Sequence, residues 1–201
     1  ATGARLRSLL QRGDFSGRAG ESLLLTDLPG LRGKRLLLVG LGAAGKYQRR
    51  SWKRALSTAI TALARTRIAS AVLAIDRPAD RNFDDYTLAR AAAEACGAAL
   101  YRINDLKTGK RPPATALTRI KLGPIAAPQL AAARRGLGDG AAIAASSRLL
   151  RDLANLPGNV CTPRYLAAQA LQLARTHRAL SARTLNAAQI KRLKMGCLLA
   201  V

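Results

Sequence analysis

Residues 36–47 read LLLVGLGAAGKY. An apolar run, Leu36 to Val39, enters a turn whose Gly40, Gly42 and Gly45 follow the spacing G-x-G-x-x-G. Gly40, Gly45 and Lys46 also satisfy most of the phosphate-loop pattern G-x-x-x-x-G-K-[ST]. A phosphate loop needs Ser or Thr after its lysine, because that hydroxyl holds the magnesium ion. Tyr47 stands there instead, and no later strand offers a clear aspartate partner for the metal. For a dinucleotide, Gly40 ends a strand as required, and Asp76 ends the next one, where a ribose-binding acid belongs. The spacing between them, 36 residues, is longer than usual. The helix signal begins near Ser51, six residues after Gly45. A helix opening there cannot set its positive end against a pyrophosphate held by the glycines. The glycines are therefore read as a strand-to-loop turn in preference to a dinucleotide site.

Outward from this turn, strands and helices alternate. Lys34–Gly40 has the continuous apolar run of a buried parallel strand, and the apolar run Ser22–Thr26 precedes it, followed by the turn Asp27-Leu28-Pro29-Gly30. Ser51 is placed to cap a helix whose Trp52, Ala55, Leu56, Ala59, Ile60 and Leu63 recur at helical spacing. Ala69–Asp76 reads as a buried strand, Tyr86–Cys96 as an alanine-rich helix stopped by Gly97, and Ala98–Ile103 as a short strand. Leu117–Leu122 is a further strand, and Pro128–Ala154 a long helical region interrupted by Gly136, Gly138 and Gly140. After the break Asn155–Pro163, Thr162 caps a helix with Pro163 at its first position, and Asn186 caps another that reaches Lys194. The last residues, CLLAV, look strand-like. This alternation predicts an α/β domain with a largely parallel sheet. The start at Ala1 and the apolar ending give the expectation of a piece of a longer chain.

The composition supports a packed core. Of the 201 residues, 49% are hydrophobic and only 3% aromatic, so the core is expected to be built from Leu, Ile, Val and Ala. No apolar run approaches the roughly 18 residues of a membrane span, and the N-terminus lacks the apolar core of a signal peptide. Cys96, Cys161 and Cys197 are odd in number and far apart, which excludes a disulfide framework or a metal knuckle and points to buried free thiols in a reducing compartment. The formal net charge is +23, from 34 basic and 11 acidic residues. Such a balance predicts nucleic acid, an acidic partner, or an acidic region outside this chain.

Three stretches carry a resemblance: GDFSGRAGESLLLTDLPGLRGKRLLLVGLG at 13–42, RLLRDLANLPGNVCTPRYLAAQA at 148–170, and LNAAQIKRLKMGCLLAV at 185–201. In this order and spacing they resemble bacterial leucyl aminopeptidases, the cytosolic two-metal family also called aminopeptidase A. The middle stretch is the most specific. Its Asn155, Pro157 and Asn159, followed by Cys161-Thr162-Pro163 and a helix, resemble that family's junction between N-terminal and catalytic domains. Gly40 and Gly42 fall on the family's own glycine turn, so the resemblance implies a turn and no nucleotide, whereas the following AAGKYQRR departs from the acidic-rich segment expected there.

The resemblance implies a macro-domain-like N-terminal α/β domain over 1–135, a connecting helix over 136–154, and the beginning of a catalytic α/β domain over 155–201. It implies a cytoplasmic enzyme, usually a homo-hexamer, that removes N-terminal residues from peptides with two divalent ions, manganese or zinc. The ions activate a water and polarise the scissile carbonyl. Their carboxylate and lysine ligands lie in a part of the catalytic domain that this chain does not include. No acidic residue follows Asp152. Asp84 and Asp85 are read as a solvated loop, His177 as a surface residue between Arg175 and Arg178, and Cys161 as no nucleophile. No catalytic or metal residue is assigned, and the chain alone is expected to be inactive, with a role in assembly.

Two readings stand beside this one. Some members of the family also bind DNA, and two basic clusters are candidates: Lys46, Arg49, Arg50, Lys53 and Arg54, and Lys107, Lys110 and Arg111. No helix-turn-helix signature or aromatic stacking pattern accompanies them. The third reading is a stand-alone macro-like module that binds a ligand such as ADP-ribose.

Overall fold

The computed structural model describes residues 2–31, 33–74, 83–103 and 114–200. Two compact units divide the chain, residues 1–150 and 151–201.

In the first unit, helix α1 (Thr2–Arg12) precedes strands β1 (Ser22–Thr26) and β2 (Arg35–Val39). These two pair antiparallel, Ser22 opposite Val39 and Thr26 opposite Arg35. The run around Leu36–Val39 is thus an antiparallel partner and not the parallel strand expected of it. Its unbroken apolarity has a local cause: Leu37 and Val39 pack on the core, and Leu36 and Leu38 are also half-buried.

Helix α2 (Arg49–Ala64) carries the stripe read from the sequence; Trp52, Ala55, Leu56, Ala59, Ile60 and Leu63 are all buried. It begins two residues before Ser51, with Gln48 at its N-cap; Ser51 instead donates its Oγ–H to the Lys46 carbonyl at 3.3 Å. Strands β3 (Ser70–Leu73) and β4 (Arg119–Leu122) pair in parallel, in register from Ser70–Arg119 to Leu73–Leu122. Helix α3 (Asp85–Leu100) lies between them in sequence and packs on α2. The centre of the core is not purely aliphatic as expected from the composition: Trp52 and Phe83, edge to face at 5.1 Å between ring centroids, join Leu56, Ile60, Leu73 and Leu88 there. The described strands therefore give a mixed α/β fold with one antiparallel and one parallel pair.

Two glycine expectations fail for one reason. Gly97 does not stop α3, and no strand forms at 98–103. Helix α4 (Leu130–Ala154) runs unbroken through Gly136, Gly138 and Gly140. A side chain at Gly136 would strike the Tyr86 carbonyl oxygen, and one at Gly140 the Arg90 carbonyl; one at Gly97 would meet Ala144. These glycines let α3 and α4 approach closely, which offsets the cost of about 1 kcal/mol that glycine carries in a helix. Tyr86 fixes the crossing by donating its hydroxyl to Asp139 Oδ2 at 2.8 Å.

In the second unit, Thr162 accepts from the Tyr165 amide at 3.2 Å and caps α5 (Pro163–Thr176), with Pro163 in its first turn. Asn186 and Gln189 form a reciprocal capping box on α6 (Ala187–Arg192). Residues Gly196–Leu199 form α7, a single helical turn where a strand-like run was expected. Gly196 has no neighbour in the way of a side chain, and Leu198 and Leu199 are exposed. With no strand among the described residues of this unit to pair with, the CLLA segment closes its hydrogen bonds locally.

Candidate functional site

The glycine turn is filled by protein. Gly40 donates its amide to the Glu21 carbonyl at 2.8 Å, and Gly42 donates its amide to the Gly17 carbonyl at 2.9 Å. Lys46 and Tyr47 donate theirs to Ala43 and Ala44 within the 3-10 turn Ala44–Lys46. Four amides of the turn, those of Gly40, Gly42, Lys46 and Tyr47, are thus engaged by carbonyls and not offered to a phosphate. Gly40 must lack a side chain because the Arg18 carbonyl sits where its Cβ would be, and Gly42 takes a φ of +84°. The loop that covers the turn is pinned by Glu21. Its carboxylate accepts from the Ser16 hydroxyl at 2.7 Å, from the Ser16 amide at 3.1 Å and from the Arg18 amide at 3.0 Å. The Ser16 hydroxyl, then the backbone amides, hold that carboxyl below its ordinary range. Asp76, the acid considered for a ribose, lies outside the described residues.

The first basic cluster spreads over two adjacent faces of α2 and the turn before it. Arg49 lies over the Phe83 ring at 5.8 Å, and Lys53 pairs with Glu94 of α3 at 3.8 Å. Arg50 and Arg54 lie about 100° further round α2, Arg50 exposed and Arg54 close against Gly20. Lys46 is exposed in the 3-10 turn. The second cluster, Lys107, Lys110 and Arg111, lies outside the described residues. No finding here supports the DNA-binding reading.

The acidic pair is not a solvated loop. Asp84 is the N-cap of α3 and accepts from the Thr87 amide at 2.8 Å, and Asp85 is buried in the first turn. A carboxylate there meets the positive end of the helix, which is the physical reason for both. Arg90 donates to Glu94 at 2.7 Å, and that contact raises the guanidinium's pKa. His177 is the exposed C-cap of α5. Cys96 is half-buried, and desolvation pushes its thiol up, away from a reactive thiolate. Cys161 is also half-buried and Cys197 is exposed, so none of the three is the fully buried thiol expected from the sequence. Cys197 lies in the short terminal helix, in a unit where no described residue is buried. Among the described residues, no group of three or more His, Cys, Asp or Glu is placed to hold a metal ion. Two metal ions, as the sequence resemblance implies for the whole enzyme, do not fit the donors described here, so no chemical step is derived through them.

The segment Asn155–Pro163 folds as a compact double turn between α4 and α5. The amides of Val160 and Cys161 both donate to the Pro157 carbonyl at 2.9 Å, and the Asn155 side-chain amide donates to the Arg151 carbonyl at 2.6 Å. Around this junction the comparisons with known proteins divide in two. The profile "Cytosol aminopeptidase family, N-terminal domain" matches residues 1–110, and the profile "Cytosol aminopeptidase family, catalytic domain" matches residues 148–201.

This chain belongs to the cytosol aminopeptidase family.

Among curated relatives, a "Probable cytosol aminopeptidase" of Nitrosococcus oceani is 36% identical over 195 residues, covering 96% of this chain and 38% of the relative. Another of that name, from Alkalilimnicola ehrlichii, is 34% identical over all 201 residues and 40% of its own length. The chain thus spans about two fifths of the relatives it matches. Among solved structures, the bottromycin maturation enzyme BotP aligns over 92% of this chain and 38% of its own, with a TM-score of 0.72 and 25% identity. A tomato leucine aminopeptidase mutant aligns over 94% of this chain and 36% of its own, with a TM-score of 0.73; at 24% identity it shows the fold.

Proposed function

We propose that this stretch serves as the N-terminal domain and the opening of the catalytic domain of a leucyl aminopeptidase. The whole enzyme releases N-terminal residues from peptides by two-metal hydrolysis. Its domains are assigned as 1–135 for the macro-like N-terminal domain, 136–154 for the connecting helix and 155–201 for the start of the catalytic domain. One observation carries the reading: two profiles of one family match one chain in the family's domain order, on either side of the Asn155–Pro163 turn. The metal pair is assigned as manganese or zinc. A solved manganese complex of BotP, aligned at a TM-score of 0.64 and 26% identity, supports metal dependence in a related fold. We assign the enzyme to the cytoplasm, in keeping with the names of its relatives, and expect a homo-hexamer. The residues of this chain serve its assembly and supply neither metal ligand nor catalytic group.

The test is hydrolysis of a leucyl chromogenic amide in the presence of manganese. The natural gene product should release leucine only with the metal; an inactive product with metal bound would overturn the aminopeptidase reading. The 201-residue chain should give no turnover; saturable turnover would show that ligands have been overlooked in it.

A further inference from the structure

On the solvent side of α2, the face opposite the core stripe, a groove of about 350 Å³ is lined by Gly20, Ser22, Arg54, Ser57, Thr58, Thr61, Ala62 and Arg65. Two guanidiniums and four hydroxyls line it, and no carboxylate does. Arg54 and Arg65 stand 11 residues apart, which the helical rise converts to about 16 Å, with the three α2 hydroxyls between them. Such positions recur on one helix face at spacings of three, four and seven. The nearest acid in sequence, Glu21, turns its carboxylate onto Ser16 and Arg18 and does not line the groove. Gly20 forms the far wall, with the Arg54 guanidinium at ordinary contact distance, 3.6 Å, from the place its side chain would take, and its φ of +92° favours glycine there. Neither arginine is in an ion pair with a described acid.

We propose that this groove is a binding site for a small oligophosphate anion. Guanidinium forks at both ends match phosphate oxygens in bidentate geometry. Donors from Ser57, Thr58 and Thr61 serve the oxygens between them. The volume lies at the lower end of the range for small-molecule sites. The proposal stands apart from the family's peptide chemistry, because the groove is formed within residues 20–65 and by no residue of the second unit.

The probe is tripolyphosphate, titrated by calorimetry at about 150 mM salt, where the Debye length of about 8 Å suppresses attraction by the overall charge. Saturable one-to-one binding is expected. Arg54→Ala and Arg65→Ala should each weaken it about tenfold, the effect of losing one charge-assisted contact. Arg164→Ala and Arg178→Ala remove the same charge from exposed positions elsewhere and should leave affinity within about twofold. Thr61→Val, which keeps its shape and loses only the hydroxyl, should weaken binding with the melting temperature unchanged, which separates loss of a donor from loss of fold. Equal weakening by all four arginine variants, or binding that never saturates, would overturn the proposal.

Discussion

The two units of this chain are built on opposite economies of burial. In the first, α2, α3 and the strands close on a centre where Trp52, Leu56, Ile60 and Phe83 are almost fully excluded from water. In the second, no described residue is buried, and Leu166, Leu180, Leu193 and Leu198 are 45 to 63% exposed. Its helices are nevertheless well made, with a hydroxyl cap on α5 and a capping box on α6. Capping satisfies the ends of a helix but supplies only about 1 kcal/mol, whereas a buried aliphatic side chain supplies roughly 1.5–3 kcal/mol. The contrast teaches that local sequence rules specify elements in both units, while apolar burial makes only the first into a body with its own interior.

Substitutions can break or sharpen that contrast. Trp52→Ala should cost about 3–5 kcal/mol in urea unfolding, because it empties the largest fully buried site in the core. Leu198→Ala in α7 should change stability by less than about 0.5 kcal/mol, since that side chain is 63% exposed. Similar losses from both would dissolve the distinction between the units. Gly136→Ala should cost about 1–3 kcal/mol, because α4 must move off the Tyr86 carbonyl. Gly138→Ala, two residues further along the same helix with open space before it, should stabilise by up to about 1 kcal/mol in urea unfolding. If the two changes have the same sign, the close crossing of α3 and α4 is wrong.

The smallest expected effect concerns the loop over the glycine turn. The Ser16 hydroxyl and the neighbouring amides hold the Glu21 carboxyl below the ordinary glutamate value of 4.5. A carboxylate with a lowered folded pKa adds stability that is fully present above the unfolded value. That stability is lost as pH falls below 4.5 through the folded pKa. Glu21→Gln should therefore lower the urea midpoint at neutral pH and give a flatter fall below pH 4.5. A variant with the same acid profile as the parent protein would remove Glu21 as the pin.

Elements whose cause is local were legible in the sequence. The α2 stripe, the Thr162 and Asn186 caps and the positions of β3 and β4 follow from spacing and side-chain chemistry. What was not legible depends on partners distant in sequence. The run Leu36–Val39 does not encode the direction of its neighbour, and β1 turns out antiparallel. Gly97, Gly136 and Gly140 read as stops until the opposite helix is known, 40 or more residues away. The glycine turn shows the converse. Its pattern suggests phosphate, the missing Ser or Thr argues against it, and the carbonyls of Gly17 and Glu21 give the physical reason the turn exists. The junction at Asn155–Pro163 could be read from sequence because it is a contiguous motif. The groove on α2 could not, because Gly20 and Ser22 join it only through the fold.

Native-state hydrogen exchange of the 201-residue chain tests the central contrast most directly. Amides in α2 and α3 should exchange only through global unfolding, while those in α5, α6 and α7 should exchange through local opening at far lower free energy. Equal protection across both units would contradict the account, for it would mean that the second unit owns an interior its exposed leucines do not show.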